Sequence, residues 1–395
     1  VPEQREIDRI VGEDAGPTLV VIGGMHGNEP GGARAAKRVL EMLGSRGVRV
    51  RGEVLALAGN LAALRAGRRY HVKDLNRQWT DERVATLLAQ PEERDDAEDR
   101  EQRALLLAIT SAIARARGKV VVADLHTTSA PGIPFYITGD TLPQRKLAMA
   151  FPLPIVLGLE EQLDGALSEH WTRHACMTFA VEGGQHDDPA SIDNLEAVIL
   201  VALAATGVVD ERDLRGDVAD AQALLAQRRS GLPHVMEVVE RHAIREEDRF
   251  TMMPGFRNLD RARAGQLLAR DARGEIRAPR DGMVILPLYQ ASGDDGFFWG
   301  REVSTLRLGV SETLRRLGVG NALGWLPGVH RDAEQPSRLL VGARASNLVP
   351  LGLFQLLGYR RVRPHEGGMA IDGKASDLEL TGRRSSAGTP ARSRP

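Results

Sequence analysis

Four short apolar runs punctuate the first half of the chain, each ending in small or polar residues. They are Leu19-Val20-Val21-Ile22, Val54-Leu55-Ala56-Leu57, Val120-Val121-Val122-Ala123 and Thr178-Phe179-Ala180-Val181. Continuous apolar runs of this length suit strands buried on both faces, the pattern of a parallel sheet. Between and beside them the periodicity turns helical, over Gly32 to Leu43, Arg100 to Arg117, Thr141 to Phe151 and Gly165 to His174. Leu105, Leu106, Ile109 and Ile113 keep one face of the second helix apolar. The alternation runs to about residue 230 and predicts an α/β layer fold with a mostly parallel sheet.

From about Glu247 the texture changes. Gly and Pro become frequent, and Gly282-Met283-Val284-Ile285-Leu286 reads as a short strand between turns. The stretch from Gly265-Gln266-Leu267-Leu268 to Ala278-Pro279-Arg280-Asp281-Gly282 has the spacing of a small β-barrel hairpin. Val303 to Tyr359 returns to a helix-like Leu/Arg periodicity, and the Ser-, Arg-, Gly- and Pro-rich end is expected to be disordered. These shifts predict an α/β catalytic domain over 1–246 and a β-barrel-like domain over 247–310. A helical extension over 311–370 and a disordered tail over 371–395 follow.

Composition narrows the function classes. The chain has 395 residues, 42% hydrophobic and 27% charged, with a net charge of −1. That balance is ordinary for a globular protein and argues against nucleic-acid binding by bulk electrostatics. The one cysteine, Cys176, excludes an intrachain disulfide and a multi-cysteine metal site. Val1 to Ile10 carries no apolar signal core, and the longest apolar stretch, Ala197 to Val209, falls short of the ~20 residues that span a bilayer. A soluble, cytoplasmic protein is expected, with no membrane partner and with homo-oligomer formation left open.

The strongest chemical signal is Gly23-Gly24-Met25-His26-Gly27-Asn28-Glu29-Pro30-Gly31, directly after the first apolar run. A His and a Glu three residues apart in a glycine-rich turn can aim at one point, and catalytic zinc often takes two His and one Glu. His126, in Asp124-Leu125-His126-Thr127-Thr128 after another apolar run, can supply the third ligand. Glu182, in Ala180-Val181-Glu182-Gly183-Gly184-Gln185, follows a further strand. Ligands of open α/β sheets gather at the carboxyl ends of the strands, so these four side chains make one coherent site. Arg69, Asn76 and Arg77 lie in the polar loop Arg68 to Gln78, where guanidinium groups suit an acylated amino acid bearing carboxylates. Asp124 reads equally as a turn or cap residue and as the acceptor that orients a histidine ligand. Asn76 and Arg77 could also serve an ion-pair network that holds their loop. His71, His170, His174 and His186 lack a partner pattern and read as surface or packing residues, with His186, close in sequence to Glu182, the exception to watch.

The ordered set His26-Gly27-Asn28-Glu29, Asp74-Leu75-Asn76-Arg77, Asp124-Leu125-His126-Thr127 and the Glu182 segment resembles the succinylglutamate desuccinylase and aspartoacylase family, relatives of zinc carboxypeptidases. Met253-Pro254-Gly255-Phe256 and Leu288-Tyr289-Gln290 through Asp295-Gly296-Phe297-Phe298 look like the family's C-terminal β domain, so the resemblance covers roughly residues 15 to 310. It implies a zinc-carboxypeptidase-like, mostly parallel sheet flanked by helices, with a smaller C-terminal β domain. It further implies one Zn2+ per chain on His26, Glu29 and His126, with Glu182 as the catalytic carboxylate. Arg69, Asn76 and Arg77 map to substrate contacts, and Arg173 and Tyr289 are further candidates.

The chemistry stands beside the family. Zinc lowers the pKa of bound water and polarises an amide carbonyl, and a nearby carboxylate can carry the proton from water to the leaving amine. No Gly-x-Ser-x-Gly elbow occurs, which weighs against a serine hydrolase. The expected activity is zinc-dependent amide hydrolysis of a small N-acyl amino acid. A metallocarboxypeptidase acting on peptides would use the same metal and glutamate, and a non-catalytic zinc-containing binding protein would hold metal without turnover.

Overall fold

The computed structural model describes residues 2–229, 231–290, 293–365 and 367–373. Most of the tail expected to be disordered lies outside them. The described residues fall into two compact units, one within 2–139 and 143–303, the other within 140–142 and 304–373.

The first unit is built on β1 (Glu6–Val11), β2 (Thr18–Gly23), β3 (Glu53–Ala58), β4 (Val120–Thr128), β5 (Phe135–Thr138), β6 (Ile155–Leu157), β7 (Met177–Gln185) and β8 (Val235–Ala243). Its later strands are β9 (Thr251–Met252), β10 (Asp260–Ala262), β11 (Leu267–Asp271), β12 (Gly274–Arg277), β13 (Gly282–Ile285) and β14 (Asp295–Glu302). Eleven of them form one sheet in the order β1-β3-β2-β4-β7-β5-β6-β8-β14-β13-β10. The four apolar runs are the parallel centre β3-β2-β4-β7. An antiparallel edge strand, β1, flanks this centre on one side, and β14, β13 and β10 continue the sheet antiparallel on the other.

Every residue of β2, β3 and β4 is buried, as strands covered on both faces require. The covering helices are α1 (Gly31–Arg46), α2 (Leu61–Ala66), α3 (Asp81–Ala89), α4 (Ala97–Arg115), α5 (Leu142–Ala148), α6 (Leu167–Arg173), α7 (Ala190–Thr206) and α8 (Asp217–Arg229). On α4, Leu105, Ile109 and Ala112 pack with Val20, Leu55 and Val122 of the sheet and with Trp79 and Trp171. Each large side chain buried this way contributes about 1.5–3 kcal/mol of transfer free energy. Ala197 to Val209 is largely the buried helix α7, and no helix among the described residues is long and apolar enough to cross a membrane.

Two features differ from the sequence pattern. β4 and β7 run on past their apolar cores to Thr128 and Gln185. The polar residues that seem to end them face a cleft, so the backbone ladder continues beneath them. The 303–359 stretch, which reads as helical, keeps an α-helix over Thr305–Arg316, a 3-10 helix over Val319–Trp325 and two short α-helices later. Strands Val329–Arg331, Arg338–Gly342, Tyr359–His365 and Gly368–Gly373 form an antiparallel four-stranded sheet there. Leu339, Val341 and Ile371 supply its core. A helical extension over 311–370 is therefore corrected to a small mixed unit. The stretch from Gly265 to Gly282 does form its hairpin, β11 to β12.

Candidate metal centre

His26 and Glu29 are placed by the turn between β2 and α1. Gly24 adopts φ 78°, a conformation open to glycine at little cost. Gly27 lies so close to α2 that an added Cβ would sit 2.1 Å from the carbonyl carbon of Ala63. The Gly27 amide donates to Arg69 O at 3.1 Å and that of Glu29 to His26 O at 3.0 Å. These contacts bring the turn against the loop that carries Arg69. His126 enters from β4, and Glu182 is its register partner on the neighbouring parallel strand β7. All four side chains are buried, Glu29 at 2% exposure and Glu182 at 9%.

Glu29 stands between the two imidazoles. Its Oε1 is 2.9 Å from His26 Nδ1 and its Oε2 2.9 Å from His126 Nδ1. The far nitrogens are anchored as well. His26 Nε2 lies 3.1 Å from Asp74 Oδ1, and His126 Nε2 lies 2.9 Å from Asp124 Oδ2. Each imidazole thus meets a carboxylate at both ring nitrogens, Glu29 at Nδ1 and an aspartate at Nε2, and a cation seated between the Nδ1 atoms and Glu29 would leave the Nε2 protons to the aspartates. Asp124 thereby takes the orienting role, and Asp74 has the same role for His26. Sequence reasoning gave Asp74 no such role, although the Asp-Leu-Asn-Arg motif contained it.

The loop is fixed from behind. Buried Glu98 accepts from the amides of His71, Val72 and Lys73 at 2.8, 2.9 and 3.4 Å. Asp74 caps the short helical turn Leu75–Arg77. Asn76 Nδ2 donates to Asp124 Oδ2 at 3.4 Å, while its Oδ1 accepts from the Leu167 amide at 2.9 Å. Arg69 donates to Asp74 Oδ2 at 2.9 Å and to Glu29 Oε1 at 3.4 Å. Arg77 donates to Asp295 Oδ2 at 3.1 Å, and Arg241 binds the other oxygen of that carboxylate.

Charge follows this geometry. Burial alone would raise Glu29, but the two imidazoles outweigh it and hold its carboxyl well below the usual range. Burial likewise opposes ionisation of Asp74, yet His26, Arg69 and Arg77 bring it well below its ordinary value. His126 goes the other way: against burial, Asp124 and Glu29 raise it well above the usual imidazole value. Glu182 has no such partner. Burial, reinforced by Glu29 and Asp124 against the pull of His126 and Arg69, pushes its carboxyl up to about 8. Its Oε2 is buried and accepts no hydrogen bond from the described residues.

His26, Glu29, Arg69, Asn76, Arg77, His126 and Glu182 all line one cavity, together with His186, Gln290 and Asp295. Arg173 does not line it. It lies near the surface, 3.3 Å from Asp81 Oδ2 and 3.9 Å from Glu169 Oε1. Tyr289 is also outside the lining, although Leu288 and Gln290 belong to it. The Tyr289 hydroxyl donates to Met253 O at 2.8 Å and accepts from the Phe256 amide at 3.0 Å, so its observed contacts hold a turn. His186, the histidine singled out for its closeness to Glu182, meets Thr127 Oγ1 at 2.8 Å through Nδ1 and lines the cavity.

The residues fit a metal ion. His26, Glu29 and His126 offer ligand atoms within 4.8 Å of one another. Two imidazoles and one carboxylate, each histidine backed by an aspartate, form a donor set suited to a catalytic divalent cation.

The chain is similar to several known proteins. Residues 15–204 match the family model of the succinylglutamate desuccinylase/aspartoacylase catalytic domain. A succinylglutamate desuccinylase of Pseudomonas putida is 38% identical over 65 residues, which are 16% of this chain and 19% of that protein. The match thus spans about a fifth of the curated relative's length. Among solved structures, a succinylglutamate desuccinylase/aspartoacylase from Rhodobacter sphaeroides superposes with a TM-score of 0.54 at 22% identity, over 75% of this chain and 88% of that one. The succinylglutamate desuccinylase from Vibrio cholerae gives 0.53 at 15% identity, over 75% and 85%. The product-bound ectoine utilization protein from Ruegeria pomeroyi gives 0.52 at 19%, over 74% and 87%. At these identities the superpositions speak for the fold. Residues 15–204 therefore belong to the succinylglutamate desuccinylase/aspartoacylase catalytic-domain family.

Proposed function

We propose that the protein is a zinc-dependent hydrolase that cleaves the amide bond of a small N-acyl amino acid. His26, Glu29 and His126 would hold one Zn2+ per chain. Bound there, zinc supplies a Lewis acid that lowers the pKa of water and polarises a carbonyl. The observation that carries the reading is Glu182, a buried carboxylate beside the ligand set with one oxygen free of hydrogen bonds. In its ionised form such a group takes the proton of the attacking water and returns it to the departing nitrogen. Asp74 and Asp124 would take the Nε2 protons and leave both Nδ1 atoms to the metal. Arg69 and Arg77 offer charge to a substrate carboxylate, while Ile137, Leu159, Leu163, Ala180 and Phe298 give the same cavity an apolar wall for an acyl chain.

The deciding experiment is an assay of the zinc-loaded protein on a panel of N-acyl amino acids, with peptides of free C-terminus in parallel. Turnover of the acyl amino acids is expected. Turnover confined to the peptides would replace this reading by a metallocarboxypeptidase, and metal uptake without turnover of either class would make the site a non-catalytic one.

A further inference from the structure

Ligand atoms converge at a second place, outside the catalytic cavity. His170 and His174 stand one turn apart along α6 and its C-terminal cap, with ring centroids 4.4 Å apart. Spacing of i, i+4 puts both imidazoles on one helix face. Asp81, the first residue of α3, faces them. Its Oδ1 lies 3.2 Å from His170 Nδ1 and 3.5 Å from His174 Nε2. Two ligands bonded at zinc-like lengths with a tetrahedral angle stand about 3.3 Å apart. All three ligand atoms lie within 4.8 Å of one another.

We propose that Asp81, His170 and His174 form a second binding site for a divalent transition-metal ion, of the class that takes two imidazoles and a carboxylate. Three observations support the site. His170 is only 4% exposed, and its ring is fixed between Trp79, at 5.8 Å, and Trp171, at 5.0 Å. Its Nδ1 makes no hydrogen bond among the described residues although Asp81 is within reach. Arg173, the nearby cation, is 3.3 Å from Asp81 Oδ2, whereas Oδ1 is the oxygen near the imidazoles, so ion pair and coordination would use different oxygens of one carboxylate. Affinity for such a nitrogen-rich set rises toward Cu2+ and Zn2+ and is low for Mg2+.

An ion here would tie α3 to α6. Those elements flank the loop carrying Asn76 and Arg77, since the Trp79 amide donates to Gly165 O at 3.0 Å and the Leu167 amide to Asn76 Oδ1 at 2.9 Å. The inference does not depend on the hydrolase reading.

The test strips the untagged full chain with chelator, reloads it with Zn2+ and counts ions per chain after gel filtration. Two equivalents are expected for the parent protein. One is expected for His174→Ala, whose side chain is half exposed, and one for Asp81→Asn. His126→Ala should lose the other equivalent and keep this one. With Cu2+ as probe, the His126→Ala protein should show the electron paramagnetic resonance signature of two nitrogen ligands, lost on adding His174→Ala. A zinc count that folded His174→Ala and Asp81→Asn leave at the parent value, whatever that value is, overturns the proposal.

Discussion

His126 on β4 and Glu182 on β7 are register partners across two parallel strands. Register partners project to the same face of a sheet, so the backbone ladder itself puts a candidate metal ligand and the candidate proton carrier side by side. The same ladder pairs Asp124 with Ala180 one step earlier on that face, leaving room for the Asp124 carboxylate to reach His126.

Glu182→Gln keeps the shape and removes the proton acceptor. Hydrolysis should fall by roughly 10²–10⁴-fold, with zinc content and thermal unfolding unchanged. Steady-state turnover alongside metal analysis checks this. Near-parental turnover in the metal-loaded variant would remove Glu182 from the mechanism.

Asp74 and Asp124 each hold the Nε2 of one histidine. Asp74→Ala and Asp124→Ala should each weaken zinc binding roughly 10–100-fold. Competition with a chromophoric chelator measures it. Unaltered affinity in both variants would show that the anchors do not set the tautomer.

How much of this was legible differs from element to element. The central strands announced themselves because β2, β3 and β4 are buried on both faces, which leaves no polar position inside their apolar runs. His26 and Glu29 were legible from their glycine turn, whose close approach to α2 admits little else. The partnership of His26 with Asp74 was not, because it joins residues 48 positions apart and depends on how the loop folds back. Arg77 read as a substrate clamp, but its partner Asp295 is 218 positions away. The strands of the second unit were hidden for another reason. Arg338–Gly342 buries Leu339 and Val341 in alternation, yet five residues are too few to separate a period of 2 from a period of 3.6 in a Leu/Arg-rich stretch.

Arg77 offers a test of substrate recognition. Asp295 holds its NH2, and Arg241 holds Asp295 in turn, so the guanidinium is oriented before substrate arrives. Arg77→Lys keeps the charge and loses the fork. A charge-assisted hydrogen bond is worth about 1.5–3 kcal/mol, so kcat/KM should fall roughly 10- to 150-fold without loss of zinc. Unchanged kinetics would assign Arg77 to the Asp295 network alone.

Gly27→Ala probes how the turn builds the metal centre. The new Cβ would lie 2.1 Å from Ala63 C, 2.2 Å from Ala63 O and 2.4 Å from Arg68 O. All three atoms are backbone, so no rotamer change relieves the clash. The turn must move away from α2 and from the Arg69 carbonyl that its amide reaches, and it carries His26 and Glu29 with it. Overpacking of this kind costs about 1–3 kcal/mol of stability. Lost stability alone would not implicate the site, so Gly47→Ala is the control. Gly47 caps α1 with φ 62° and has open space around its Cβ position, so that variant carries left-handed strain of about 1–2 kcal/mol with no clash. Denaturant unfolding should show both variants destabilised to a similar degree. Zinc titration should then separate them, with affinity lowered in Gly27→Ala and unchanged in Gly47→Ala. Parental affinity in a folded Gly27→Ala protein would mean that His26 and Glu29 are positioned by Asp74 and Arg69 rather than by the turn.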